Sequence, residues 1–309
     1  MRFMVFPFLV GSVTGARVRA SRPRVVRLRD VLNVTAATLH PIYSTCRYAI
    51  VDLPVTRTLS RTVKGPAICG SPSTTEVILS ASQVTTAALF AHTRGRWKEA
   101  AWRVEELLAT GEAPDVVEPD LRRVAAQLRL AQDDIEGAAS ECERALALVR
   151  AQQHDIEAQA TVRNLLLLRA GIAIAEGRPA AAQELADSML PLSSRSDPEF
   201  VIELALLLAD LDRPGDALIE EASSRPSDPW LQAAAAIVQG QLEQATDRLV
   251  VLGTPPYEAA VRLRAAARLV AEGRRAEADA QLQQALAFYR SVGATRYIRE
   301  GEALLAATA

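Results

Sequence analysis

The sequence predicts an all-α protein, a helical solenoid made of repeated helix pairs, and three observations carry that prediction. Alanine and leucine, the strongest helix formers, are abundant, while aromatic residues make up only 5% of the chain. Glycines and prolines fall between apolar-periodic segments, as punctuation between helices. The stretch 272–293, EGRRAEADAQLQQALAFYRSVG, also lays over five earlier stretches of the same chain. Within it Gly273 ends one helical pattern, and five residues later Ala278 begins an apolar stripe that continues through Leu282 and Ala285. Positions i, i+4 and i+7 share one helix face, so these side chains form a strip on which a neighbouring helix packs closely.

Aligned on Ala278, the earlier anchors are Ala100, Ala138, Ala182, Ala217 and Ala245, at spacings of 38, 44, 35, 28 and 33 residues. Five residues before the anchors stand Gly95, Asp133, Gly177, Asp212, Gly240 and Gly273. Glycine and, less readily, aspartate tolerate the left-handed backbone that closes a helix and begins a turn. Downstream, the stripe continues through Val104 and Leu107, Cys142 and Ala145, Ala186 and Met189, Leu249 and Leu252, and Leu282 and Ala285. The fourth pair departs, with Glu221 and Ser224 at those positions, so Leu218 and Ala222 are expected to supply a rotated stripe in a short, distorted repeat. Upstream of the turns, apolar patterns predict first helices over 77–94, 117–132, 158–176, 198–211, 229–239 and 257–272. Asp197 and Pro198, Asp228 and Pro229, and Pro255 and Pro256 mark helix starts, with aspartate as cap and proline in the first turn.

Residues 1–73 are different material. They carry ten arginines and one lysine against Asp30 and Asp52, a net +9, which leaves −11 on residues 74–309. Their start, MRFMVFPFLVGSV, imitates a secretory signal, but Pro7 interrupts the apolar run. Six arginines crowd residues 17–29, yet no aromatic residues are interleaved to stack on bases, and no helix-turn-helix pattern follows. Residues 31–73 mix β-branched residues and prolines without sustained period, so the segment is expected to be disordered or loosely packed. An alternative is that it is translated from upstream of the true start or across a frame change. Of the 35 basic residues 33 are arginine, the mark of a GC-rich bacterial genome. Three cysteines make no disulfide framework, and no apolar run of about 18 residues exists, so a cytoplasmic chain without a membrane span is expected.

The helix-turn-helix unit, with glycine at the turn, alanine five residues later and a small residue seven beyond that, resembles the tetratricopeptide repeat (TPR). GRWKEAAWRVEELL at 95–108, DDIEGAASECERAL at 133–146 and GRRAEADAQLQQAL at 273–286 carry the resemblance, which covers about residues 74–309. In the first helices alanine or arginine replaces the large aromatic of that family. The resemblance implies a right-handed α-solenoid of about six TPR-like hairpins whose first helices line a concave, polypeptide-binding surface. The run ALAFYRSVGATRYIREGEALLA, 285–306, is also similar to the end of the helical arm of large bacterial signal-transduction ATPases and cyclases.

GSVTGARV at 11–18 lacks the Gly-Lys-Ser/Thr of a phosphate loop, and Lys64 and Lys98 are the only lysines, so no nucleotide site or other cofactor is expected. His40, Cys46 and Cys69 have no metal spacing, and His92 and His154 stand without a nucleophile partner. Cys142 falls on a core stripe, and pairs such as Glu105 and Glu106 read as solvated helix faces. Trp97 and Trp102 are expected to pack within the first pair, with one of them a candidate for facing a partner. The expectation is therefore a non-catalytic protein-interaction scaffold, a regulatory arm in bacterial signalling or transcription. Its candidate contacts are the polar residues of the first helices: Gln83, His92, Arg122, Arg129, Arg163, Asn164, Arg262 and Arg268. Arginines pair bidentately with carboxylates, so an acidic segment is the expected ligand and nucleic acid is not. The competing expectations are a DNA-associated regulator using the basic N-terminus and a fragment of a larger ATPase or adenylate cyclase regulator.

Overall fold

The computed structural model describes residues 74–111, 113–150, 156–189 and 197–306. The chain separates into two units, Met1–Ile68 and Cys69–Ala309, and every described helix belongs to the second. The sequence readings on residues 1–73 lie outside the described residues.

Among the described residues there are thirteen helices and no strand, so the described part of the chain is all-helical. In order they are α1 (Thr74–Thr93), α2 (Trp97–Thr110), α3 (Glu118–Ala131), α4 (Ile135–Arg150), α5 (Ile156–Ala175), α6 (Pro179–Ser188) and α7 (Pro198–Asp210). They continue with α8 (Asp216–Ser224), α9 (Pro229–Val238), α10 (Leu242–Leu252), α11 (Pro255–Ala271), α12 (Arg275–Val292) and α13 (Thr295–Ala306). The Asp228 carboxylate caps α9 by accepting from the Trp230 and Leu231 amides. Asp197 sits at the corresponding place before α7, but its side chain makes no cap bond to that helix and accepts from Asn164 Nδ2 at 3.3 Å.

Gly95, Asp133, Gly177, Asp212, Gly240 and Gly273, the six turn positions read from the sequence, all have left-handed backbone, with φ between 49° and 75°. Behind each, the next residue's N–H reaches back five residues: Arg96 to Ala91, Asp134 to Arg129, Arg178 to Ala173, Arg213 to Leu208, Gln241 to Ala236 and Arg274 to Leu269, at 2.7–3.0 Å. These bonds satisfy carbonyls that a helix end would leave orphaned. Gly95 has a second reason to be glycine, because a Cβ there would lie 2.8 Å from Phe288 Cε2.

Ala100, Ala138, Ala182, Ala245 and Ala278 are fully buried. Ala217 is not: it is half-buried, and the packing positions of its helix are Leu218 and Ala222. The cause is local. After Asp212 the segment Arg213-Pro214-Gly215 delays α8 until Asp216, whereas α2 and α12 begin two residues after their turn glycines. The helix starts two residues late and its buried anchor falls one residue late, a shift of the buried face by roughly 100°.

A second departure concerns the ends of the array. In a regular solenoid each repeat touches only its neighbours. Here one core cluster joins the first pairs to the last, with Ala88, Ala91, Leu121 and Val124 packing with Ala259, Leu263, Ala266 and Tyr289. Alanine at four of those places lets the backbones of distant helices approach. Thr295 Oγ1 donates to the Gln132 carbonyl at 2.8 Å, Arg299 pairs with Asp133, and Arg94 Nη1 donates to the carbonyls of Leu252 and Gly253. Helix α13, which the sequence did not separate from α12, makes the first two of these contacts, and Tyr297 on it stacks on Tyr289, with centroids 4.8 Å apart. Gly293, φ 73°, is what ends α12.

Candidate functional site

The eight polar residues proposed from sequence divide sharply once placed. Arg122 is buried and already paired: Nε donates to Glu118 Oε1 at 2.7 Å and Nη1 to Glu141 Oε2 at 2.6 Å. Arg262 repeats the arrangement, with Nε to Glu258 Oε1 and Nη1 to Gln281 Oε1, both at 2.8 Å. In both pairs the acceptors stand four residues before and nineteen after the arginine, so each guanidinium staples a first helix to its own second helix. Both guanidinium groups are thus engaged within their own pair. The Arg163 guanidinium lies 5.5 Å from the centroid of the Phe200 ring, and Asn164 is buried against Asp197. Gln83, Arg129 and Arg268 are exposed, the last two bonded to Asp134 and Glu272 at their own helix ends.

His92 faces the interior and leads to a cluster that the sequence reading missed. Its half-buried ring stacks on Trp97, centroids 5.4 Å apart, and the imidazole is lowered to about 3, first by burial and then by the charge of Arg123. Arg123 is only 4% exposed, with Nε 3.6 Å from Asp120 Oδ1, beyond hydrogen-bonding reach. Burial alone would pull its pKa down, but Asp120, Glu203 and Glu199 outweigh burial and raise it. Glu203 Oε1 accepts from Gln127 Nε2 at 3.1 Å and from the Tyr257 hydroxyl at 2.9 Å, while Glu199 Oε1 accepts from Thr93 Oγ1 at 3.1 Å. Burial raises the Glu203 carboxyl, against the opposing pull of Arg123. Tyr257 is raised well above an ordinary phenol, again chiefly by burial.

These side chains come from α1, α3, α7 and α11, so the cluster ties four first helices together across the interior. Register explains the placement. Arg123 and Glu203 each stand fifteen residues before the packing anchor of their pair, Ala138 and Leu218. The signal was present in PEFVIELALLL, where Glu199 and Glu203 are i, i+4 on an otherwise apolar helix, but it emerges only after the anchor is moved from Ala217 to Leu218. Chemically, the cluster holds and orients. Its carboxylates already accept bonds from Thr93, Gln127 and Tyr257.

Cys142 is fully buried, its Sγ donates to the Leu165 carbonyl at 3.5 Å, and burial pushes the thiol up to about 12, so it packs as a small apolar residue. Of the two tryptophans, Trp97 is buried with its Nε1 donating to the His92 carbonyl, whereas Trp102 is 56% exposed. Among the described residues no group of three or more His, Cys, Asp and Glu is placed to hold a metal ion, and no helix is long and apolar enough to cross a membrane. No protein-family model matches the chain, and no curated protein or solved structure matches it significantly.

Proposed function

We propose that residues 74–309 form a TPR-like, right-handed solenoid of about six hairpins that serves as a non-catalytic scaffold for a polypeptide partner in bacterial signalling or transcription. The observation that carries the reading is the sixfold recurrence of one device. A left-handed residue closes the first helix, and a fully buried small or apolar residue five or six positions later docks the second. A chain that spends its sequence on repeating this unit is building surface, which is how helical-repeat proteins bind. The inner cluster joins Arg123, Glu203 and Tyr257 into a tie that occupies the face expected to be the groove, so the partner docks on what stays outside. Gln83, Arg129, Arg268 and Trp102 are the candidates that remain exposed, and an exposed tryptophan is the side chain most enriched at binding hot spots.

The test is an affinity capture with the full chain from the source lysate. Wild type retains a defined polypeptide, and Trp102→Ala or the Arg129→Ala/Arg268→Ala pair lowers its recovery at least tenfold while helicity is unchanged. Capture of no polypeptide, or recovery indifferent to all three changes, would contradict the reading. Hydrolysis of ATP or formation of a cyclic nucleotide by the purified chain would contradict its non-catalytic part.

A further inference from the structure

The distorted fourth pair leaves a cavity. Helix α8 is only nine residues long, the chain leaves it through Arg225-Pro226, and proline cannot continue a helix. Between α8, α9 and α10 remains a space of about 180 Å³, floored by Ala235 and Ala236 and rimmed by Ser223, Gln232, Gln244 and Arg248. Gln239 also lines it, and none of its lining residues is acidic.

Arg248 is the anomaly. Most described arginines reach a carboxylate or a carbonyl, and even the exposed Arg129, Arg268 and Arg274 are paired. Arg248 is half-buried, its Nε is removed from solvent, and it has no hydrogen bond or ion pair among the described residues. Its Nε–H is a buried donor without an acceptor, and such a group calls for one that completes it. The natural complement of the guanidinium fork is a carboxylate, held bidentately by two parallel N–H···O bonds.

The rest of the lining narrows the class. Gln232 Nε2 is occupied by the Ala222 carbonyl and the Ser223 hydroxyl by the Ile219 carbonyl, which fixes both side chains in place. Gln239 and Gln244 each offer an amide that can both donate and accept. A free amino acid would bring an ammonium group, for which the lining holds no carboxylate. A dry cavity of about 150 Å³ holds a benzene-sized molecule, so this one accommodates a carboxylate with roughly four to six further heavy atoms. We propose that the cavity between α8, α9 and α10 binds a small carboxylate bearing a hydroxyl or amide substituent, with Arg248 holding the carboxylate and the glutamines the substituent.

Calorimetric titration of the full chain tests this with acetate, lactate, N-acetylglycine and the blocked peptide Ac-Ala-Glu-Ala-NH2 as probes. Lactate or N-acetylglycine should bind at least tenfold more tightly than acetate, and Arg248→Gln should weaken that binding at least tenfold, with Arg248→Lys in between. Because Arg248 has no partner to lose, Arg248→Gln should keep full helicity. If it does not, Gln244→Leu on the exposed rim serves instead, and binding unaffected by that change overturns the assignment. Absence of binding by both small carboxylates, binding indifferent to Arg248→Gln, or binding of the blocked peptide alone would each overturn it. The last result would give the subsite to an acidic side chain of a polypeptide.

Discussion

The pairs α11–α12 and α7–α8 are built from the same plan and differ by one residue in the distance from turn to buried anchor. In α11–α12, Gly273 turns and Ala278 docks five positions on, fully buried, with Leu282, Ala285 and Leu286 following on the same face. In α7–α8, Asp212 turns at φ 49°, Pro214 and Gly215 intervene, and Leu218 docks six positions on. One residue is about 100° of helix, so the extra residue moves the buried stripe from Ala217 onto Leu218 and Ala222. The comparison teaches that the distance from turn to anchor, more than the identity of the anchor, decides which face of the second helix is buried. The displaced helix is also the shortest among the described residues, and the cavity beside it follows.

The strongest way to break the comparison is a buried charge. Ala278→Glu and Leu218→Glu should each destabilise the chain by on the order of 4 kcal/mol, because a carboxylate in a packed helix contact adds strain to desolvation. Ala217→Glu should cost less than about 1 kcal/mol, although alanine alignment alone equates it with Ala278. Denaturant midpoints at unchanged m-value check all three. A loss at Ala217 as large as at Ala278 would restore the unrotated register.

A smaller effect separates the glycines. At Gly215 a Cβ would meet the Cβ of Val238 at 2.5 Å, so Gly215→Ala forces α8 away from α9 and should cost about 1–3 kcal/mol. At Gly273 nothing lies within 4 Å, and only the φ of 75° opposes a side chain, so Gly273→Ala should cost about 1 kcal/mol. Thermal unfolding orders the two.

The smallest expected effects are slopes with pH, where Glu203 on α7 and His92 on α1 act oppositely. The His92 pKa is depressed in the folded chain, so its contribution is present above the ordinary imidazole value and lost as pH falls toward about 3. His92→Gln should flatten that acid loss. Glu203 is raised, so its contribution is present below the ordinary glutamate value and lost as pH rises through the raised one. Glu203→Gln should therefore gain on wild type as pH climbs from the ordinary glutamate value toward neutrality. Either slope is at most about 1.4 kcal/mol per pH unit for one group.

Turns and anchors were legible because they are local. Left-handed backbone selects glycine or aspartate, and a close helix contact selects alanine, at fixed separations along the chain. Five of the six anchors follow from spacing alone, and the sixth needed the length of the Arg213-Pro214-Gly215 insertion. The clamps of Arg122 and Arg262 were legible in principle, since acceptors recur at −4 and +19 in both pairs, but a single arginine on a helix looks the same whether it serves its own repeat or a ligand. The partners that meet in the inner cluster and the closure of the ends were not legible. Arg123, Glu203 and Tyr257 meet only because distant pairs pack together, and the residues that permit this, Ala88, Ala91, Ala259 and Ala266, look like ordinary helix formers in an alanine-rich chain.

Whether the ends pack on each other is the claim on which the assignment of the binding face rests, and hydrogen exchange tests it directly. Truncation after Gly293 removes α13 and with it the contacts of Thr295 and Arg299 to the α3–α4 turn. The closed array predicts faster amide exchange in α3, Glu118–Ala131, as well as in α11 and α12. Acceleration confined to α11 and α12, with α3 unchanged, is the behaviour of an open nearest-neighbour solenoid and would contradict the account.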